Sequence, residues 1–207
     1  MTSQREIWDR IYSCEADKWK KETRTLLNSL KNKTVLELGA GNGKTLSAIM
    51  QKGPKKVVAI DISKEAVKRC KKKFENERVE VKEGDAGNLE FEDESFDAVV
   101  CYYILNNLEE RERTQAVKEI ERVLKKTGCV LFEDFSEGDF RQNSEGRIVA
   151  PNTLLKKNGL LCHFFSTQEI KTLFEKFSKI KIEEEAYKVI KGKPELMRRI
   201  ILAEIVK

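Results

Sequence analysis

Three glycines at alternate positions, Gly39, Gly41 and Gly43, stand where an apolar run, Thr34-Val35-Leu36-Glu37-Leu38, gives way to Leu46, Ala48, Ile49 and Met50 at helical spacing. Glycine lets the backbone turn tightly and lets a ligand approach with no Cβ in the way. The first amides of the following helix have no partner within it and face that ligand. A strand, a glycine turn and a helix N-terminus together predict a nucleotide site. An acidic residue about twenty places further on, at the end of a second strand, suits a ribose diol. Asp61 holds that place after Val57-Val58-Ala59-Ile60. A carboxylate accepts both diol hydroxyls in charge-assisted bonds. Asp85 ends a third strand in Glu83-Gly84-Asp85-Ala86. Its carboxylate suits an adenine amino group, and the Ala86 amide suits the ring. Gly43-Lys44-Thr45 suggests a phosphate loop, but Leu38 stands where that motif needs its first glycine.

These residues need strands and helices in alternation to bring them together. Strands are expected over 34–38, 57–60, 79–81, 96–101 and 129–132. Helices are expected over 44–51, from the N-cap Ser63 to Phe74, and over 111–125, with Gly128 as a C′ stop. Five alternations argue a parallel sheet with helices on both faces. Two further strands, 180–190 and 199–206, are joined by a short turn at Lys191-Gly192-Lys193-Pro194, so they pair as an antiparallel hairpin. Ahead of the first strand, Ile7, Trp8, Ile11 and Tyr12 share one helical face, and a second helix to Leu30 carries Trp19, Leu26 and Leu27. These two helices cover the sheet or lid the ligand. Residues 134–165 carry little periodicity, and a loop of that length is often functional. Ser166-Thr167-Gln168-Glu169 reads as a capping box opening a helix through Phe177.

The composition fits one domain over 1–207, with 1–32 as an N-terminal helical cap and 134–165 as an acceptor-side insertion. Hydrophobic residues make up 40% and charged residues 36%, so the surface is heavily charged and no apolar run is long enough for a membrane. With no apolar signal region at the N-terminus, a cytoplasmic protein is expected. Cys14, Cys70, Cys101, Cys129 and Cys162 are widely spaced with no Cys-x-x-Cys pair. They read as reduced thiols, with Cys101 and Cys129 in the core, and no metal is expected. A net charge of +5 permits nucleic-acid binding without demanding it. Lys68, Arg69, Lys71, Lys72 and Lys73 read as a solvated helix face. Lys188, Lys191, Lys193, Arg198 and Arg199 at the terminal hairpin read as a phosphate-contacting patch. A monomer or weak oligomer is expected.

The run Val35-Leu36-Glu37-Leu38-Gly39-Ala40-Gly41-Asn42-Gly43, then Asp61, Gly84-Asp85-Ala86 and Phe96-Asp97-Ala98-Val99-Val100, resembles the class I S-adenosylmethionine-dependent methyltransferases. The segment from Arg122 to Leu131 resembles that family's helix and turn before strand five. The resemblance implies a Rossmann-like α/β fold: a seven-stranded, mostly parallel sheet with an antiparallel terminal strand and helices on both faces. It implies S-adenosyl-L-methionine as cofactor. The positions it implies for the cofactor are Glu37, Gly39, Ala40, Gly41, Asp61, Ile62, Asp85, Ala86 and Tyr102, with Gly39 and Gly41 behind the methionine moiety. Tyr102, Tyr103 and Ile104 follow strand four, where the family faces both cofactor and acceptor.

Beyond strand five the order Asp139, Arg141, Asn152, Lys156-Lys157-Asn158-Gly159, Phe164-Phe165 is similar to methyltransferase-like proteins that include the tRNA 3-methylcytidine enzymes. Trp8-Asp9-Arg10-Ile11-Tyr12 is similar to their start. Gly159-Leu160-Leu161 stands where those enzymes carry Gly-Thr-Arg, and His163-Phe164-Phe165 where they carry Tyr-Phe-Phe. The resemblance implies methyl transfer to a nucleobase in RNA, tRNA above all. A small-molecule acceptor and a non-catalytic cofactor-binding subunit are the alternatives. The residues implied for catalysis are Asp134, Tyr102 and Arg141. Those implied for the acceptor are Tyr103, Arg141, Asn152, His163 and Phe165.

Overall fold

The computed structural model describes residues 3–15, 30–189 and 196–207. The expected helix carrying Trp19, Leu26 and Leu27 and the turn at Lys191-Gly192-Lys193-Pro194 lie outside the described residues.

Strands β1 (Thr34–Leu38), β2 (Lys56–Asp61), β3 (Val79–Glu83), β4 (Phe96–Tyr102) and β5 (Leu124–Phe135) alternate with helices α2 (Lys44–Met50), α3 (Lys64–Phe74) and α4 (Glu110–Val123). Helix α1 (Gln4–Glu15) precedes them. After β5 come β6 (Arg147–Ala150), β7 (Thr153–Leu155), β8 (Leu161–His163), α5 (Thr167–Leu173), β9 (Lys179–Lys188) and β10 (Met197–Val206). Seven strands form one sheet in the order β3-β2-β1-β4-β5-β10-β9. The first five are parallel, and β10 runs antiparallel to both β5 and β9. The expected fold class is thereby met.

The central strands are apolar on both faces, as parallel strands covered by helices must be. Leu36, Val58, Val99, Val130 and Phe132 pack on one face beneath Ala116, Ile120 and Val123 of α4 and Ile170 of α5. Val35, Val57, Ala59, Val100 and Leu131 pack on the other beneath Leu46 and Ile49 of α2 and Val67 and Cys70 of α3. The order reverses at β1, with β2 on one side and β4 on the other. Such a switch point opens a crevice at the carboxyl ends of the strands. The register is even there: Leu38 stands opposite Ile60 and Cys101. The glycine turn, Asp61 and Tyr103 therefore leave the sheet side by side.

Four local expectations are corrected. Helix α4 stops at Val123, because Leu124 is already extended and faces Phe96. Gly128 lies inside β5, where a register shift between Phe96 and Ala98 absorbs the extra residues. Residues 147–163 are ordered as a three-stranded antiparallel sheet, β6-β7-β8. Helix α5 ends at Leu173, short of Phe177. Its N-cap Ser166 accepts from the Glu169 amide, but the Glu169 carboxylate is spent on His163 and Arg113. Ser63 caps α3 as expected, accepting from the Ala66 amide.

Candidate active site

A cleft of about 920 Å3 opens at the switch point and runs from the glycine turn to the end of β5. Gly39, Gly41 and Gly43 have φ of 75°, 53° and 77°, a region that penalises any Cβ. A Cβ on Gly39 would also run into Ile104, and one on Gly43 into Phe74. The Gly39 and Ala40 amides both donate to the Ile60 carbonyl, at 2.8 and 2.9 Å, which pins the turn to β2. The Gly41 amide donates to Asp61 Oδ2 and the Ser63 amide to Asp61 Oδ1, each at 2.8 Å. Asp61 thus joins the turn to the start of α3 and still lines the cleft. Each carboxylate oxygen has a second lone pair, so a diol can be accepted beside the two amides. Burial lifts the Asp61 carboxyl to about 6, against the two amide hydrogen bonds. Asp85 lies exposed at the rim, its Oδ1 taking the Gly87 amide at 2.8 Å.

Helix α1 roofs this half. Asp9 Oδ1 accepts from Ser63 Oγ at 2.7 Å, which docks α1 on the start of α3. Gln4, Trp8 and Tyr12 then face the cleft, with the Tyr12 hydroxyl set over Gly41. On another face α1 meets the β7–β8 turn, where Ile7 and Ile11 bury Leu160 and Arg10 Nη2 donates to the Asn158 carbonyl.

The far half is aromatic, acidic and basic in turn. Tyr103 has φ 56°, a left-handed conformation that tyrosine pays for with strain. Its amide donates to the Glu133 carbonyl at 2.8 Å and its hydroxyl to Glu133 Oε1 at 2.5 Å. Burial, then Glu133, pushes the Tyr103 hydroxyl upward, so it stays a donor. Phe135 packs against Tyr103 with ring centres 5.0 Å apart. Lys44, Arg141, Lys156, Lys188 and Arg198 line the same space. Burial holds the Lys44 ammonium below the usual lysine range, while Glu133 pulls it up and Arg198 pushes it down.

The structure brings Gly39, Ala40, Gly41, Asp61, Ile62, Asp85, Ala86, Tyr102, Tyr103 and Arg141 to the cleft, and leaves five expected residues outside it. Glu37 lies beneath the turn on the α2 side, where burial and then Asp61 push its carboxyl well up. Asp134 is fully buried and accepts from Asn106 Nδ2 at 2.6 Å, the Asn106 amide at 3.1 Å and the Phe135 amide at 2.9 Å. Burial lifts it to about 7. Asn152 bridges Gln142 and Glu137. His163 is buried, with Nδ1 2.7 Å from Thr153 Oγ1 and Nε2 2.8 Å from Glu169 Oε2. It ties β7 and β8 to α5. Phe165 is core, edge-on to Phe132 at 5.5 Å. Glu133 and Phe135 line the cleft where Asp134 and Phe165 were expected to. Their signal was strand parity: Glu133 and Phe135 share a face with Leu131, and Glu133 pairs with Tyr102. Among the described residues no group of His, Cys, Asp and Glu side chains could hold a metal ion, and no helix is long and apolar enough to cross a membrane. The five cysteines are free thiols, all buried except Cys14.

A doubly wound sheet with a glycine turn and two strand-end carboxylates at its switch point defines a nucleotide-cofactor-binding α/β protein. Comparison narrows the class. Residues 36–132 match the methyltransferase domain family. The chain is 27% identical over 202 residues to the tRNA N(3)-methylcytidine methyltransferase trm140 of Schizosaccharomyces pombe, covering 87% of this chain and 66% of that one. It is 31% identical over 129 residues to a demethylmenaquinone methyltransferase of Thermotoga maritima, covering 61% and 55%. The chain thus spans about two thirds or less of the length of these relatives. Its fold matches the Haloferax volcanii methyltransferase solved in complex with the Trm112 methyltransferase activator, with a TM-score of 0.73, 17% identity and 99% of each chain covered. Over residues 36–132 the chain thus carries a methyltransferase domain, one that depends on S-adenosylmethionine as its cofactor.

Proposed function

We propose that this protein transfers the methyl group of S-adenosylmethionine to a ring nitrogen of a nucleobase in RNA, with tRNA as the substrate. The cleft carries the reading: one continuous space joins the glycine turn to an aromatic wall, a carboxylate and five basic side chains. The trm140 likeness supports the acceptor class, and cytosine N3 is the atom that relative's name indicates.

Gly39, Ala40 and Gly41 would back the methionine end, Asp61 the ribose, and Asp85 with Ala86 the adenine. The bound cofactor supplies an activated methyl group on a sulfonium. The chain's own task is then mostly orientation. Tyr103 and Phe135 offer stacking faces for a base turned out of its helix. Neutral cytosine N3 carries a lone pair and no proton, so no base must remove one. Methylation leaves the ring cationic, with charge shared onto the exocyclic amine. The Glu133 carboxylate, fixed by the Tyr103 hydroxyl, accepts from that amine more strongly as the charge grows. That is stabilisation of the transition state over the ground state. In this reading residues 1–207 are one methyltransferase domain, with 1–32 as an N-terminal helical cap and 134–165 as the acceptor-side insertion, in a cytoplasmic protein.

One observation favours a compact small-molecule acceptor instead: α1 roofs the cleft from α3 to the β7–β8 turn. Labelled S-adenosylmethionine incubated with total tRNA, and separately with a nucleic-acid-free cell extract, separates the two. Label entering tRNA is the expected result. Label entering only the small-molecule fraction overturns the reading.

A further inference from the structure

We propose that Arg141 and Arg198, held against Phe135 and Phe140 by Asp139, form a phosphate subsite beside the acceptor base. The proposal rests on the RNA reading for the source of the phosphate, a phosphodiester flanking the methylated nucleotide. Asp139 is fully buried, and its oxygens are already taken by backbone amides: Oδ1 by Arg141 at 3.0 Å and Oδ2 by Arg199 at 2.8 Å. It therefore counters charge without consuming the guanidinium donors. Arg141 Nη1 stands 3.6 Å from Oδ1, beyond hydrogen-bond reach. Arg198 Nε stands 3.2 Å from Oδ2 but is poorly aligned. Both nitrogens are buried and have no hydrogen-bond partner. Buried donors left unmatched in a native fold call for a ligand or a cost.

The rings fix the arginines' orientation. The Arg141 guanidinium lies 4.4 Å over Phe135 and 5.1 Å over Phe140, and that of Arg198 lies 5.4 Å from each. A guanidinium stacked on a ring keeps its N–H edge free for in-plane acceptors. Two such forks over one carboxylate leave a net positive charge that suits the non-bridging oxygens of a phosphate. Phe135 also touches Tyr103, so the phosphate and the base would share one aromatic support. The cofactor's own carboxylate is the other source of an anion in this cleft, and the test separates the two.

Filter binding of labelled total tRNA across a salt series is measured for wild type, Arg141→Gln, Arg198→Gln, the double variant and Lys72→Gln. Calorimetric binding of S-adenosylhomocysteine is measured beside it, and circular dichroism with thermal melting reports folding. Each single variant is expected to weaken tRNA binding about tenfold and to lower the salt slope by about one. Cofactor-product affinity and the exposed α3 variant Lys72→Gln should match wild type. If a glutamine variant fails to fold, Arg141→Lys and Arg198→Lys keep the charge but lose the fork, and a several-fold loss is expected. Unchanged tRNA affinity in the double variant overturns the proposal. So does a parallel loss of S-adenosylhomocysteine affinity, which would assign the arginines to the cofactor's carboxylate. If wild type binds no tRNA, the RNA reading falls alone, and inorganic phosphate decides the subsite. Stabilisation against heat by phosphate over chloride at equal ionic strength, lost in the double variant, retains it for a phosphorylated small acceptor. Absence of that stabilisation overturns it.

Discussion

Asp61→Asn tests the donor half of the site with the least disturbance. The side chain keeps its shape but loses its charge and one of its two accepting atoms. In the structure each carboxylate oxygen takes one backbone amide, Gly41 or Ser63. Each would also take one ribose hydroxyl. Hydrogen bonds to a charged group contribute about 1.5–3 kcal/mol each. The amide leaves one neutral acceptor in place, so a loss of about 2–3 kcal/mol is expected, or about 30- to 150-fold in Kd. Calorimetry with S-adenosylhomocysteine reads this directly. The pH dependence gives an independent sign. The Asp61 carboxyl is lifted from 3.8 to about 6 by burial, so it is ionised above about 6 and protonated below. Wild-type affinity should fall as pH drops through about 6, and Asp61→Asn should be flat there. Stability runs the other way. The folded chain holds a proton that the unfolded chain has lost between about 4 and about 6, so ionised Asp61 lowers stability as pH rises through that window. Removing that charge relieves this burden, while the lost acceptor leaves the Gly41 or Ser63 amide unmatched, so urea unfolding of the variant is measured beside its affinity. Near-wild-type affinity for the variant, with a flat pH profile in both proteins, would refute the ribose assignment.

Three further outcomes follow from the same geometry. Glu133→Gln removes the carboxylate that Tyr103 holds, and should lower kcat at least about tenfold, some 1.4 kcal/mol or more, while S-adenosylhomocysteine affinity stays at the wild-type value. Asp134 is lifted from 3.8 to about 7, so its stability contribution declines as pH rises between about 4 and about 7. Urea titrations at about pH 5 and about pH 8 should therefore show a smaller difference in Asp134→Asn than in wild type. Phe165→Leu should cost about 1–2 kcal/mol in urea unfolding through lost packing on Phe132, with acceptor KM unchanged, because Phe165 lies in the core and not on the cleft. A raised acceptor KM at wild-type stability would return Phe165 to the binding wall.

The donor half was legible because its chemistry is written in local backbone demands. A left-handed turn needs glycine, and Gly39, Gly41 and Gly43 all adopt it. A carboxylate at a strand end needs only the strand to be placed correctly, and β2 ends at Asp61 itself. The structure departs from the sequence where one residue of offset decides which face a side chain takes. A strand sends neighbouring side chains to opposite faces. Choosing Asp134 over Glu133 therefore exchanged a cleft carboxylate for one sealed against Asn106. The choice of Phe165 and His163 had a different cause. They sit at and just after the end of β8, where sequence order alone does not say which side faces the cleft. Here both residues turn to the core, and His163 is held by Thr153 and Glu169.

The acceptor half also depends on pairings that span most of the chain. Arg141 and Arg198 are separated by the whole β6-β7-β8 sheet, α5 and β9, yet they share one buried carboxylate. They meet because β10 runs antiparallel to β5, with Ile200 opposite Phe135, which carries Arg199 back to donate its amide to Asp139. A one-residue slip of β10 would point Arg198 away from Phe135 and bring Arg199 toward it. Arg198 and Arg199 are alike in composition, charge and local propensity, so only the register of the terminal hairpin tells them apart. The same elements that close the sheet thus decide what the cleft can recognise. That explains how a glycine turn and strand-end carboxylates can stay legible in the sequence while the acceptor's identity is carried by long-range register.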